Sequence, residues 1–317
     1  MVMERYPKTL MEFETQFRTE KDCRDYLFQI RWPNGYICPR CGGVKSWRIR
    51  NVLFQCSQCD HQASLTTGTV FQDTHLSLRV WFRAIWLVTS QKNGASALGL
   101  KRVLGCSYKT AWMLLHKLRR AMVRPGRDRL TGKIEVDETY FGSAEEGFPG
   151  RKIIHKALIA IAVQEDGKGI GRIRMKRISD VTTKSLHPFI EEVVEPGSTV
   201  HTDGWDGYSG LGSKGYRHQV TVLAQRKQSP SDLLPRVHRV VSLLKRWLLG
   251  THQGAISHQH LDTYLNEFMF RFNRRTSHYR GKLFYRLIQQ ALQIPPAPYM
   301  EIARHTRGRR PRKHSQK

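Results

Sequence analysis

His201-Thr-Asp-Gly-Trp-Asp-Gly-Tyr208 ends a short β-prone run on an aspartate and releases the chain into a glycine-rich turn. A carboxylate at the end of a strand, over a backbone free to turn, is placed to hold a cation. Ile134-Glu-Val-Asp137-Glu-Thr-Tyr-Phe-Gly142 repeats the arrangement earlier in the chain. Two carboxylates brought together repel unless a cation lies between them, so the two stretches point to one shared metal site. Hard oxygen ligands select Mg2+ or Mn2+. Two such ions about 4 Å apart can activate a nucleophilic oxygen and stabilise the leaving oxygen of a phosphodiester. Asp137 and Asp203 are the candidate ligands, with an ordinary turn aspartate as the competing role for either alone.

The surrounding pattern is α/β. Strands are predicted over 133–140, 156–163 and 170–178, a helix over 183–194, and a strand over 198–202 that leads into Asp203. Val220-Thr-Val-Leu reads as another apolar run, and helical periodicity returns near 235–249, 258–274 and 281–293. That order predicts a mixed-sheet domain over 131–295. The polar, Pro- and Gly-bearing stretch Val123 to Leu130 is its expected upstream boundary.

Upstream, residues 73–125 are expected to be helical, with the aromatics of Leu78 to Val88 in a core. Ser96 to Leu104 and Lys109 to Arg120, broken at Gly105-Cys-Ser107, have a helix-turn-helix pattern in which Ser107 caps the second helix. Tyr108, Lys109, Lys117, Arg119 and Arg120 would then be offered to DNA; a plain three-helix connector is the alternative. Within 36–72, Cys38-Pro-Arg-Cys41-Gly-Gly and Cys56-Ser-Gln-Cys59 each place two thiols on one tight turn, with a β-prone run between them. Four thiolates at that spacing predict a zinc ribbon holding structural Zn2+, which leaves His61 as a surface residue. Residues 1–35 are expected to hold a helix that Thr19 caps and that buries Cys23 and Leu27.

Lys and Arg number 53 against 26 Asp and Glu, for a net charge of +27 and a pI near 10.3. A polyanionic partner is implied, and double-stranded DNA is favoured over a membrane because no basic amphipathic helix stands apart. No apolar run reaches the roughly 18 to 20 residues of a membrane span, and the N-terminus lacks the apolar core of a secretion signal. The expected location is the cytoplasm, in association with the nucleoid. Residues 303–317 carry seven basic residues after Ala303 and no acid, and are expected to form a disordered basic tail.

With these parts in order, the chain resembles a bacterial insertion-sequence transposase, of the group with an N-terminal zinc ribbon and a DDE-type, ribonuclease-H-like catalytic domain. The ribbon, the two aspartate stretches, Leu243-Leu-Lys-Arg-Trp-Leu-Leu-Gly-Thr-His252 and Tyr264-Leu-Asn-Glu-Phe-Met-Phe-Arg-Phe-Asn-Arg-Arg275 carry the resemblance, over about 20–293. It implies metal-dependent cleavage at the element's ends and strand transfer into target DNA. It also implies a homodimer or higher oligomer on DNA, since two ends must be paired.

In that superfamily a third metal residue, usually acidic, lies about 35 residues after the second aspartate, with a Lys or Arg seven further on. Those counts reach His238 and Lys245. Imidazole suits Mn2+ better than Mg2+. Asp232 and Glu267 are rival acids, though Glu267 could instead pair with Arg271 four residues on. By strand alternation Glu138 faces away from Asp137. Asp206 is expected to cap a turn, and Trp205 either stacks on an unpaired base or packs in the core. The competing functions are a non-catalytic zinc-ribbon DNA-binding regulator derived from a transposase, and a nuclease that cuts without joining.

Overall fold

Local capping chemistry lays out the N-terminal helices in the computed structural model, which describes residues 4–49, 53–124, 126–142, 156–221, 233–254 and 256–304. The hydroxyl of Thr9 accepts from the Glu12 amide at the start of α1 (Leu10–Gln16). Thr19 and Asp22 close a reciprocal capping box on α2 (Glu20–Arg31), at 3.1 and 2.7 Å. The ribbon comes next as an antiparallel sheet of β1 (Ser46–Ile49), β2 (Leu53–Cys56) and β3 (Gln62–Ser64). Ser77, Ser96 and Ser107 then cap α3 (Leu78–Ser90), α4 (Ala97–Leu104) and α5 (Tyr108–Ala121). Between α4 and α5, Gly105 takes the left-handed conformation (φ 65°) that ends one helix so that the next can begin.

The second part of the chain is a three-layer α/β unit, Pro125–Arg275. Its strands are β4 (Lys133–Phe141), β5 (Ala157–Asp166), β6 (Gly169–Ile178), β7 (Thr199–Asp203) and β8 (Arg217–Thr221), in the order β6-β5-β4-β7-β8. The β4–β5–β6 pairs are antiparallel and the β4–β7–β8 pairs parallel, the mixed sheet that the ribonuclease-H-like expectation requires. Helix α6 (Thr183–Val193) covers one face, and α7 (Pro235–His252) with α8 (Leu261–Phe272) covers the other. The seven buried residues Ala157 to Val163 reflect this sandwich: Ile159, Ile161 and Val163 pack toward α7 and α8, and the smaller Ala160 and Ala162 toward α6.

The outer edge of β6 is closed by side chains of α8 and the residues just after it. The Ile173 amide donates to Asn273 Oδ1 (2.7 Å) while Asn273 Nδ2 donates back to the Ile173 carbonyl (3.1 Å). The Met175 amide points at Met269 Sδ (3.0 Å), the Arg177 amide at Asp262 Oδ1 (3.2 Å), and Arg275 Nη1 donates to the Gly171 carbonyl (3.2 Å). Backbone groups that a bare edge would expose are thereby satisfied.

The chain then returns to the first unit, Met1–Arg124 with Thr276–Lys317, through α9 (Gly281–Gln293) and α10 (Tyr299–Arg304). Sequence periodicity assigns 281–293 to the catalytic domain; the unit instead ends at Arg275, and α9 packs with α2, α3 and α5. Phe284 is the reason: fully buried, it meets the rings of Phe13, Phe17, Tyr26, Phe82 and Trp86 at centroid distances of 5.5, 5.6, 6.3, 5.6 and 5.9 Å. Burying one such ring stabilises by about 1.5–3 kcal/mol. Gly281 allows the approach, because a Cβ there would sit 1.6 Å from the Pro7 carbonyl oxygen. The expected basic tail beyond Arg304 lies outside the described residues.

Candidate catalytic centre and metal site

The parallel pairing of β4 with β7 sets Glu135 opposite His201. The paired stretch ends there, and Asp137 and Asp203 each lie two residues further along their strands, on the same face as Glu135 and His201. Helix α7 crosses that face and places His238 Nε2 3.8 Å from Asp137 Oδ2, with side-chain exposures of 31% and 15%. Burial holds the His238 imidazole below its ordinary pKa; the Glu135 and Asp203 carboxylates push it the other way, and Lys245 adds to the lowering. The ring is therefore neutral near pH 7, with a lone pair to give. Lys245, two turns along α7, is exposed.

Asp203 also serves its own turn, since Oδ1 accepts from the Trp205 amide at 3.1 Å. The Trp205 indole N–H donates to the Val181 carbonyl (2.8 Å) and its ring packs against the α6-side core, so of its two expected roles the packing one is seen. Asp206 is the first residue of a 3-10 turn through Tyr208, but Trp205 holds the cap position and no side-chain cap bond is made, so the expected capping by Asp206 is not seen. The Tyr208 hydroxyl donates to Glu138 Oε2 (2.7 Å), which puts Glu138 on the α6 side, away from Asp137. Burial, with Glu138 beside it, keeps the Tyr208 hydroxyl protonated far above the ordinary range. Of the rival acids, Glu267 is fully buried in α8 with Arg271 Nη1 3.7 Å away, and Asp232 lies outside the described residues.

Two residues at the centre, Glu135 and Arg236, escape the sequence reading. Glu135 is 1% exposed on β4 and pairs with Arg236 Nη1 at 3.0 Å. An acid between Ile134 and Val136, two residues from Asp137, is the available signal: period two puts it on the same face.

In the ribbon, the Sγ atoms of Cys38, Cys41, Cys56 and Cys59 all lie within 4.8 Å of one another. Among the described residues no other set of three or more His, Cys, Asp or Glu gathers its donor atoms so closely, and His61 is not part of the set. The donors of Asp137, Asp203 and His238 are spread more widely.

The helix-turn-helix pattern is present as α4 and α5, but its expected DNA face is only partly open. Arg119 is 1% exposed, Arg120 Nη1 is paired with Glu301 Oε1 at 2.5 Å, and Lys117 is half-buried. Lys109 Nζ lies over the Tyr299 ring, 4.1 Å from its centroid. Charge on α5 is legible in the sequence; the docking of α10 along it is not. Tyr108, at the start of α5, remains exposed, with Lys101 and Arg102 on α4.

Two matches with known families fall on these two regions. Residues 129–273 match the ISXO2-like transposase domain, and residues 18–62 match the transposase zinc-ribbon domain. One chain thus carries matches to two domains of insertion-sequence transposases, a zinc ribbon and an ISXO2-like transposase domain. Its function is that of a DNA transposase. It is 27% identical over 274 residues to an uncharacterized protein in transposable element ISH50 of Halobacterium salinarum, which covers 80% of this chain and 91% of that one. A crystal structure of a pre-cleavage Mos1 transpososome aligns over 67% of this chain and 75% of its own at 10% identity, with a TM-score of 0.24, and adds nothing to the assignment. Among the described residues no helix is long and apolar enough to cross a membrane.

Proposed function

We propose that Asp137, Asp203 and His238 form the catalytic centre of this transposase, holding Mg2+ or Mn2+ for cleavage at insertion-sequence ends and transfer of the freed strand to target DNA. The observation that supports it most is the convergence of β4, β7 and α7: two carboxylates on one face of neighbouring strands, each two residues past the Glu135–His201 pair, and an imidazole 3.8 Å from one of them. The donor set fits a hard or borderline divalent ion, because the carboxylates supply oxygens and the ring, neutral at pH 7, supplies a nitrogen. The chemistry such an ion would supply is activation of the attacking oxygen and neutralisation of charge on the scissile phosphate. Asp137 and Asp203 would hold it through carboxylate oxygens and His238 through Nε2, while Lys245, on the same helix face, would grip a DNA phosphate. The four ribbon cysteines hold structural Zn2+. The acting form is a dimer or higher oligomer on double-stranded DNA, and the site of action is the nucleoid.

Strand transfer by the purified protein on paired element ends, with Mg2+ or Mn2+, tests this. Asp137→Asn and Asp203→Asn should each abolish it while leaving DNA binding intact. Transfer at the parent rate by either variant would overturn the centre. A parent chain that binds DNA but neither cuts nor joins with any metal would establish the regulator reading instead.

A further inference from the structure

A carboxylate buried beside the proposed centre has no part in its metal chemistry. Glu135 lies on β4 two residues before Asp137 and is 1% exposed, where an unpaired charge would be costly. Both of its oxygens are committed to the first turn of α7: Oε1 accepts from Arg236 Nη1 at 3.0 Å and Oε2 from the Val237 amide at 2.8 Å. That amide is one of the four a helix leaves unpaired at its start, and Leu234, at the cap position, provides no side-chain bond. Helix α7 thus takes its cap from a strand 102 residues upstream.

Arg236 extends the grip. Its guanidinium reaches Glu165 Oε1 at 3.2 Å and donates to the Gly167 and Gly169 carbonyls at 2.9 and 3.0 Å. One side chain therefore ties the helix start to β4, to the end of β5 and to the turn into β6. His238 is the next residue after Val237, still within that first turn. Helix ends fray where their amides lack partners, so a ligand carried on a first turn is only as fixed as the cap.

We propose that Glu135, with Arg236, is a positioning residue of the transposase centre: it pins the first turn of α7 so that His238 meets Asp137. This rests on the reading of His238 as a metal ligand. A purely architectural salt bridge would stabilise the unit without favouring His238 over any other part of the helix. A clamp has its effect at residues 236–238, and outer contacts of this kind typically cost about 10–100-fold in metal affinity when removed.

The test uses the full chain with Glu135→Gln, and with Arg236→Lys as a second variant that keeps the charge but not the fork. In protein with its zinc but without Mg2+ or Mn2+, amide hydrogen exchange at Val237 and His238 should quicken at least tenfold in both variants, with Val240 to Leu248 unchanged. Unaltered exchange at Val237 and His238 overturns the clamp, and so does equal quickening along the whole helix. Mn2+ titration calorimetry adds a cycle. His238→Ala should weaken Mn2+ binding in the parent chain and have little further effect in the Glu135→Gln chain. A full His238→Ala effect in that background overturns the proposal. If His238→Ala leaves Mn2+ binding unchanged in the parent chain, the ligand reading fails, and the exchange data still decide whether Glu135 pins the turn.

Discussion

The ribbon and the carboxylate centre assemble donors in opposite ways. The ribbon draws four sulfurs within 4.8 Å from two short turns, each supplying two cysteines from its own glycine-rich or polar knuckle. The carboxylate centre collects its donors from β4, β7 and α7, and leaves them further apart. Soft, deprotonated thiolates have little use without a metal, so their nearness is itself the sign of one. Carboxylates have other work: Asp203 holds the Trp205 turn, and Asp137 faces His238. A cysteine ribbon of this kind depends on an ion to fold, whereas the α/β unit has a buried core of its own to fold around.

The widest test of that contrast is metal removal. Zinc contributes about 10–16 kcal/mol in small cysteine-ligated modules. Stripping it, or Cys56→Ser, should collapse the dispersed amide resonances of residues 46–64, while removal of Mg2+ or Mn2+ leaves those of β4 to β8 in place. Persistence of the ribbon signals after zinc loss would break the comparison.

Acidification should separate the regions next. Burial lowers the pKa of His201, His218 and His238, all in the α/β unit, below the 6.5 of the free side chain. Above about pH 6.5 they are neutral in both states and their contribution is fully present. As pH falls through the lowered folded values, the unfolded chain takes up protons first and stability is lost. The melting temperature of the α/β unit should therefore decline between pH 7.5 and 5, and His201→Gln with His218→Gln should flatten that decline. A melting temperature that stays flat in the parent chain would contradict it.

Smaller in size is the turn role of Asp203. Asp203→Ala loses the bond to the Trp205 amide and should cost about 1 kcal/mol in chemical denaturation, while Asp203→Asn keeps an acceptor and costs less. Equal losses would mean that charge rather than the turn matters to the fold. The least effect on stability is expected at exposed Lys245: Lys245→Ala should stay within about 0.5 kcal/mol. It should still reduce the salt slope of DNA binding by about 0.9.

Much of the α/β unit is legible because its strands alternate or run apolar and its helices begin at recognisable stops. β8 is not: Arg217-His-Gln-Val-Thr221 is polar and largely exposed, and only its pairing with β7 makes it a strand. Helix α9 shows an apolar face in the sequence, but nothing in it says which core receives Phe284; that depends on Gly281 meeting Pro7, far away in the chain. At the centre, Asp203 is visible as a strand-end acid; Asp137 is visible as an acid in an apolar run, but it lies in the middle of β4 rather than near its end. His238 comes from the spacing that the family resemblance implies. The Glu135 clamp joins residues 102 apart, and the sequence holds only its two ends.

The closure of β6 by α8 has an evolutionary consequence. Asp262, Met269 and Asn273 meet alternate residues of the strand because helical and strand repeats stay in phase over that length. Inserting one residue within α8 would rotate the downstream turns by about 100° and swing Met269 and Asn273 away. The strand would then offer its backbone to any passing chain, as an open template for stacking. Insertions should accumulate in the turns around this helix and be selected out of it, whatever their effect on catalysis.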